Sequence, residues 1–187
     1  MVTVTLDAPI PGSTVETVAG RADVDPRALT RAVDALHESL VDGSDAILQH
    51  YGTTDAPAPV TVADGLATVV YVDDDTWTRT VDTHGVPADV GPAVRAVHAA
   101  FATEETGRSG DESQGEPIVL PSRTVAELVR AGLSTRQAEV QVLHDAGLDY
   151  ATIAERLGVA EGTVKVHRHR IQEKVANAKR LVDAIDD

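Results

Sequence analysis

Basic side chains are concentrated in one short segment near the end of the chain. Six of them lie between Thr163 and Arg180, where the only acidic residue is Glu173, and all three lysines of the chain are among the six. The six are Lys165, Arg168, Arg170, Lys174, Lys179 and Arg180. Clustered ammonium and guanidinium groups bind phosphate oxygens, so this segment predicts contact with a polyanion.

The remainder of the chain is acidic. The formal net charge is −14, and residues 1–104 alone carry 16 acidic and 5 basic side chains. Such an Asp-rich, Lys-poor chain with 3% aromatic residues is similar to the proteins of extreme halophiles, whose carboxylates keep the surface hydrated. We therefore expect a haloarchaeal source and a protein that works in concentrated salt.

Three helices separated by two glycine-marked turns must position the basic segment. Ser134, with Gln137 three residues later, predicts a capping box at the start of the first helix, which should end at Gly147. Asp149 predicts the cap of a second, short helix that ends at Gly158. Each boundary rests on residues within one turn of the helix end, so the prediction is local.

The third helix, from near Glu161, contains the basic residues. Val164 and Ile171 are seven residues apart and should share its inner face, so that Lys165, Arg168 and His169 project largely away from the core. A helix held outward by a tight preceding turn fits the major groove of DNA.

These residues resemble a known family. The similarity is carried by Leu133-Ser134, Arg136-Gln137, Glu139-Val140, Gly147-Leu148, Ile153-Ala154, Leu157-Gly158-Val159 and Thr163-Val164-Lys165-Val166-His167. Together they are similar to the LuxR/FixJ-type helix-turn-helix over roughly residues 133–175. The stretch from Glu173 to Arg180 is also similar to the tail of archaeal Tfx-type regulators.

The resemblance implies a transcription regulator that binds double-stranded DNA sequence-specifically. By motif position, Lys165, Val166 and His169 would reach base edges. Thr163, Arg168 and Arg170 would contact the backbone, and Lys174 completes the predicted DNA-binding set. The chain departs from the family at Ala160, where Ser or Thr usually caps the third helix, and this forfeits about 1 kcal/mol.

An apolar seam continues beyond the basic residues. Ile171, Val175, Ala178, Val182 and Ile185 recur at spacings of four, three, four and three, which is typical of a face that meets a partner helix. The family uses a terminal helix to dimerise, which favours a homodimer on two half-sites. The alternative is that this face packs within the chain on Leu128 and Leu143.

The chain divides into two predicted domains. Residues 105–121 are rich in Gly, Ser and Glu and predict a flexible acidic linker. It would separate an N-terminal sensing or oligomerisation domain (1–104) from a helix-turn-helix domain (122–187). An unidentified small molecule or protein is the expected effector of the first domain.

The predicted fold class is α+β, with N-terminal helices, a small antiparallel β-meander and an all-α C-terminal domain. A helix starts at Asp25-Pro26 and ends near Gly43, and a second short helix precedes Gly52. The meander comprises Val60–Ala63, Leu66–Val72 and Thr76–Val81, the last containing Trp77. Turns at Asp64-Gly65 and at Asp73–Asp75 would connect them, and a helix through Val90–Phe101 would close the domain.

Other functions are poorly supported. We expect no enzyme, no cofactor and no metal, because the chain has no cysteine, no nucleophile motif and no histidine pair at ligand spacing with a nearby carboxylate. Val69–Asp75 resembles the first strand and acidic pair of a receiver domain, but no partner lysine exists in the N-terminal segment. No apolar run of about 18 residues and no signal peptide is present, so we expect a cytoplasmic protein without a membrane partner.

One rival interpretation keeps the helix-turn-helix but changes its partner. The module could dock onto another transcription factor as a protein-interaction adaptor. The basic residues of the third helix favour DNA.

Overall fold

The computed structural model describes residues 9–51, 58–108 and 115–186. The helices are α1 (Gly12–Ala22), α2 (Pro26–Tyr51), α3 (Asp74–Thr83), α4 (Gly91–Thr106), α5 (Arg123–Arg130), α6 (Thr135–Asp145), α7 (Tyr150–Arg156) and α8 (Glu161–Asp186). The strands are β1 (Val60–Val62), β2 (Ala67–Val72) and β3 (Glu116–Pro121). The fold class is α+β, as predicted.

The sheet is antiparallel, with strand order β1-β2-β3. The predicted hairpin at Asp64-Gly65 is confirmed, because a short 3-10 turn over Ala63–Gly65 connects β1 to β2. The central strand β2 is buried at all six positions and pairs with β3 from Val72↔Glu116 to Ala67↔Pro121. Apolar residues cover both of its faces, so β2 forms the centre of the fold.

The predicted third strand is wrong. Thr76–Val81 lies inside α3, because the Asp73 carboxylate caps that helix and accepts a hydrogen bond from the Thr76 amide at 2.8 Å. The Tyr51 hydroxyl donates to the same carboxylate at 2.6 Å. Trp77 is therefore a buried helical residue rather than a sheet residue.

The third strand comes instead from the predicted linker. α4 extends to Thr106, and the apolar run Ile118-Val119-Leu120 is fully buried in β3. The prediction of a flexible linker is thus wrong for residues 116–121, whose backbone is paired with β2. Residues 109–114 of that linker lie outside the described residues.

The N-terminal helices are longer than predicted. α2 passes through Gly43 without a break and ends at Tyr51, and α1 precedes it. The predicted start of α2 is confirmed, since the Asp25 carboxylate accepts a hydrogen bond from the Ala28 amide at 3.1 Å. Burial of one apolar stripe outweighs the cost of about 1 kcal/mol for a helical glycine. Gly52 lies outside the described residues.

One hydrophobic core is shared by the α+β part of the fold and the helices α6–α8. Leu36, Phe101 and Val119 belong to the same buried cluster as Val140 and Leu143 of α6. Polar contacts follow the same junction: the Arg130 guanidinium donates to the Val41 carbonyl at 2.9 Å, and Arg156 lies 3.3 Å from the Asp64 carboxylate. The α6–α8 segment is therefore anchored on the α+β part of the fold.

Among the residues that the structure describes, no helix combines the length and apolar character needed to cross a membrane.

Candidate nucleic-acid interface

The scaffold helix α6 begins with the predicted capping box. The Ser134 hydroxyl accepts from the Gln137 amide at 3.3 Å, and the Gln137 side-chain oxygen accepts from the Ser134 amide at 3.1 Å. After the helix, Gly147 adopts a left-handed φ of 90°, and the Leu148 amide donates to the Leu143 carbonyl at 3.2 Å. Both predicted ends of this helix are confirmed.

The short helix α7 and the turn after it set the position of α8. The Asp149 carboxylate accepts from the Thr152 amide at 2.8 Å, and this hydrogen bond lowers the pKa of Asp149. Gly158 supplies the left-handed turn residue at φ 64°, and the Val159 amide donates back to the Ala154 carbonyl at 3.0 Å. Since Val159 also packs against the core, the turn has little freedom to reorient α8.

α8 is attached to this support by its inner face. Val164 and Ile171 are buried in the same apolar cluster as Val140, Leu143 and Ile153. An α-helix turns about 100° per residue, so residues one, two and five positions after Val164 point away from the core. The inner face predicted from the sequence is confirmed.

Lys165, Val166 and His169 form the exposed outer face of α8. Their exposed fractions are 59% for the Lys165 side chain, 48% for Val166 and 73% for the His169 side chain. The polar members of this face are paired along the helix: Lys165 Nζ lies 2.7 Å from Glu161 Oε1, and His169 Nε2 lies 3.5 Å from Glu173 Oε1. The hydrogen bond to Glu161 raises the pKa of Lys165, which keeps it cationic.

Two of the predicted contact residues have hydrogen-bond partners on the scaffold. The Arg168 guanidinium donates to the Gln141 side-chain oxygen on α6. Lys174 Nζ donates to the Gly132 carbonyl at 2.6 Å and to the Gln137 side chain at 2.9 Å. These two cations brace α8 against α6 and the turn before it.

The sequence did not reveal these bracing partners. The sequence pattern indicates Gln137 only as a capping residue and gives no signal for Gln141. The pairs join residues 27 to 42 positions apart, and no local spacing signals such a contact. In contrast, the four-residue spacing of Glu161 to Lys165 and of His169 to Glu173 is a signal that could have been used.

The remaining predicted residues lie on the sides of α8. Thr163 and Arg170 are exposed. His167 is half-buried, and burial, followed by the positive charges of Arg136 and Arg170, lowers the pKa of its imidazole. His167 is therefore a partly buried side chain at the flank of α8.

The apolar seam is buried at its first residue and exposed farther along α8. Ile171 is buried, whereas Val175, Val182 and Ile185 are 48%, 56% and 73% exposed. A groove of about 620 Å³ runs beside this part of α8 and is bordered by Leu128 and Leu133 as well as by Val175 and Val182. The alternative in which the whole seam packs within the chain does not hold.

No group of three or more histidine, aspartate or glutamate side chains within the described ranges could hold a metal ion.

Three helices, two capped starts and an outward cationic face make residues 134–186 a helix-turn-helix module of the DNA-binding class. The chain belongs to the family described as "Domain of unknown function (DUF8048)", whose model matches residues 8–143. Residues 131–186 match the model described as "Bacterial regulatory proteins, luxR family". The predicted LuxR-type resemblance is confirmed, and the protein is a DNA-binding transcription regulator. No curated protein and no solved structure matches the chain.

Proposed function

We propose that this regulator binds double-stranded DNA sequence-specifically, with α8 in the major groove. The observation that carries the proposal is the outer face of α8, because Lys165, Val166 and His169 lie opposite the buried Val164 and Ile171. The three outer side chains would meet base edges. Thr163 and Arg170 would contact phosphates, while Arg168 and Lys174 would do so only from the braced positions described above.

We also propose that the protein binds DNA as a homodimer. The exposed seam of Val175, Val182 and Ile185, beside the groove bordered by Leu128, is an apolar surface that a second copy of α8 would cover. A two-fold dimer of this kind reads two half-sites about 34 Å apart.

The acidic composition supports work at high salt. With 30 acidic and 16 basic residues, most of the surface repels DNA at low salt, whereas the basic residues of α8 attract it. At molar salt both the repulsion by the acidic surface and the attraction by α8 are screened. Contacts to base edges would then supply most of the binding free energy.

The N-terminal sensing role remains a proposal. A cavity of about 360 Å³ lies where α1 and α2 meet α6 and α7, and Thr30, Val33, Phe101 and Arg156 are among the residues that line it. Its volume is in the range of small-molecule sites, and an effector bound there would contact the helix-turn-helix directly.

The outer face is tested by gel shift in molar KCl, using fragments selected from genomic DNA by the full-length protein. Lys165→Ala combined with His169→Ala should abolish the retardation that the wild type produces. Arg27→Ala, which removes one positive charge from exposed α2, should leave it unchanged.

The adaptor interpretation predicts a different result. A wild-type protein that retards no DNA fragment, or a double variant that retards fragments as well as the wild type, would favour docking onto another protein and refute the proposed function.

The dimer is tested by sedimentation of two matched lysine variants. Val182→Lys places a charge in the seam and should give a monomer, because an unpaired charge in an apolar interface costs several kcal/mol. Leu181→Lys changes the neighbouring residue, which is 62% exposed and does not border the groove, and should remain a dimer. A wild type that sediments as a monomer at all concentrations and on DNA would contradict the proposal.

A further inference from the structure

Glu161 is the acidic residue of the first turn of α8, a position where the helix dipole favours a carboxylate. It is the first residue of α8, it is exposed, and its carboxylate lies beside the Lys165 ammonium at 2.7 Å. In the proposed complex the first turns of such a helix approach the bases most closely. A carboxylate in that position faces strong repulsion from the phosphates on both sides of the groove.

The Lys165 ammonium offsets part of that repulsion, and a hydrogen-bond donor on the DNA would offset more of it. In the major groove, cytosine offers its N4 amino group as a donor, and the paired guanine offers O6 and N7 as acceptors. These groups lie side by side within one base pair. The Glu161–Lys165 pair has the complementary pattern, one acceptor next to one donor, at hydrogen-bonding separation.

A second glutamate of α8 also lies beside a basic side chain, but in a different part of the helix. Glu173 follows His169 toward the C-terminal half of the helix, three turns after Glu161. Helix-turn-helix proteins read bases mainly with the N-terminal residues of this helix, so Glu173 is the natural control.

We infer that Glu161 and Lys165 act as one unit that reads a single C·G base pair. This inference rests on the proposed function. The Glu161 carboxylate accepts a hydrogen bond from cytosine N4, and the Lys165 ammonium donates to guanine O6 and N7. Glu161 is thus a specificity-determining residue, although it adds no attraction to the DNA backbone.

Lys165 and Glu161 contribute differently to the affinity for DNA and to the sequence specificity. Removing Lys165 weakens binding to every sequence, because a cation is lost. Removing Glu161 relieves repulsion from the phosphates and relaxes the preference at one position. Non-specific binding should therefore strengthen while discrimination at that base pair falls.

The experiment selects binding sites from a randomised duplex pool with the full-length wild type, Glu161→Gln, Glu161→Ala and Glu173→Ala. Circular dichroism of each variant establishes that the helices are intact. The wild type should select a C·G pair at one position of each half-site. Glu161→Ala should lose discrimination there by about tenfold. Glu161→Gln should lose less, because its amide oxygen still accepts a hydrogen bond, and Glu173→Ala should keep the wild-type discrimination.

A modified duplex then tests the atom concerned. Replacing the selected cytosine by 2-pyrimidinone removes the N4 amino group. The wild type should bind this duplex about tenfold more weakly than the parent, and Glu161→Ala should bind the two duplexes equally.

The outcomes distinguish the two levels of the proposal. If the wild type selects a defined site, the base-reading pair alone is overturned when Glu161→Ala selects the same site unchanged, or when the affected position holds an A·T pair. A wild type that selects no sequence overturns the proposed function and this inference with it.

Discussion

At the scale of single residues, the basic side chains of α8 divide into two groups with different surroundings. Lys165 and His169 stand exposed, and each lies beside a glutamate four residues away along α8. Arg168 and Lys174 reach across to the scaffold, where Gln141, Gln137 and the Gly132 carbonyl accept their hydrogen bonds. We propose that the first group contacts DNA, whereas the second supports the helix from within the module.

Lys174→Ala tests this division. The variant loses two hydrogen bonds from a charged donor, so the free energy of unfolding should fall by about 1 kcal/mol, while the selected base sequence should not change. Chemical denaturation measures the first effect and site selection the second.

Lys179→Ala is the matched control, because it removes the same charge from an exposed position on the same helix. It should leave the free energy of unfolding nearly unchanged. If Lys174→Ala altered the selected sequence without loss of stability, Lys174 would be a DNA contact and not a brace.

At the scale of elements, the start of α8 is the least reinforced of the three module helices. α6 and α7 begin with side-chain caps from Ser134 and Asp149. Before α8 stands Ala160, whose methyl group accepts no hydrogen bond, and only its backbone carbonyl accepts from Thr163 and Val164, at 2.8 and 3.3 Å. The side chain at position 160 therefore caps none of the amides of the first turn.

Ala160→Ser supplies the missing acceptor. Its hydroxyl would bind an amide of the first turn and raise the free energy of unfolding by about 1 kcal/mol. Thermal or urea unfolding measures the gain.

Ala131→Ser provides the comparison, because Ala131 stands at the C-terminal end of α5, where a serine satisfies no helical amide. It should be neutral. An Ala160→Ser variant no more stable than the wild type would show that the first turn of α8 needs no cap.

At the scale of the whole molecule, two buried histidines lie where the sheet meets its helices. The rings of His37 on α2 and His98 on α4 stack with centroids 5.4 Å apart, and the edge of Trp77 contacts His98 at 5.2 Å. The Val119 amide of β3 donates to His98 Nδ1 at 3.0 Å, which requires that nitrogen to be unprotonated. Burial lowers the pKa of His37 to about 4, and burial together with the neighbouring His37 ring lowers the pKa of His98.

These lowered pKa values predict a loss of stability in acid. As the pH falls below about 6.5, the unfolded chain binds protons that the folded chain does not, so the free energy of unfolding decreases. The decrease continues to about pH 4 for His37, and on the order of 3 kcal/mol is lost through that group. Urea denaturation at a series of pH values between these limits measures the slope.

His37→Leu should flatten this pH dependence, because it removes one titrating group and keeps an apolar side chain of similar size. His169→Gln removes an exposed histidine and should leave the slope as in the wild type. If the free energy of unfolding had the same pH dependence in the wild type and in both variants, the acid-induced loss of stability would not come from His37.

Much of the helix-turn-helix was determined by the sequence alone. Ser134 with Gln137, Asp149 with Thr152, and the glycines at 147 and 158 act on amides and carbonyls within one helical turn. Such interactions form wherever the chain carries them, so the helix boundaries and the outward face of α8 could be predicted.

Only the tertiary structure decided how the remaining segments are used. Thr76–Val81 has the composition of a strand but follows a capping aspartate, and β3 is a strand because β2 lies beside it, more than forty residues earlier. The braces of Arg168 and Lys174 likewise join distant residues. Strand pairing and long-range hydrogen bonds depend on which surfaces the folded core brings together, and no local spacing encodes that.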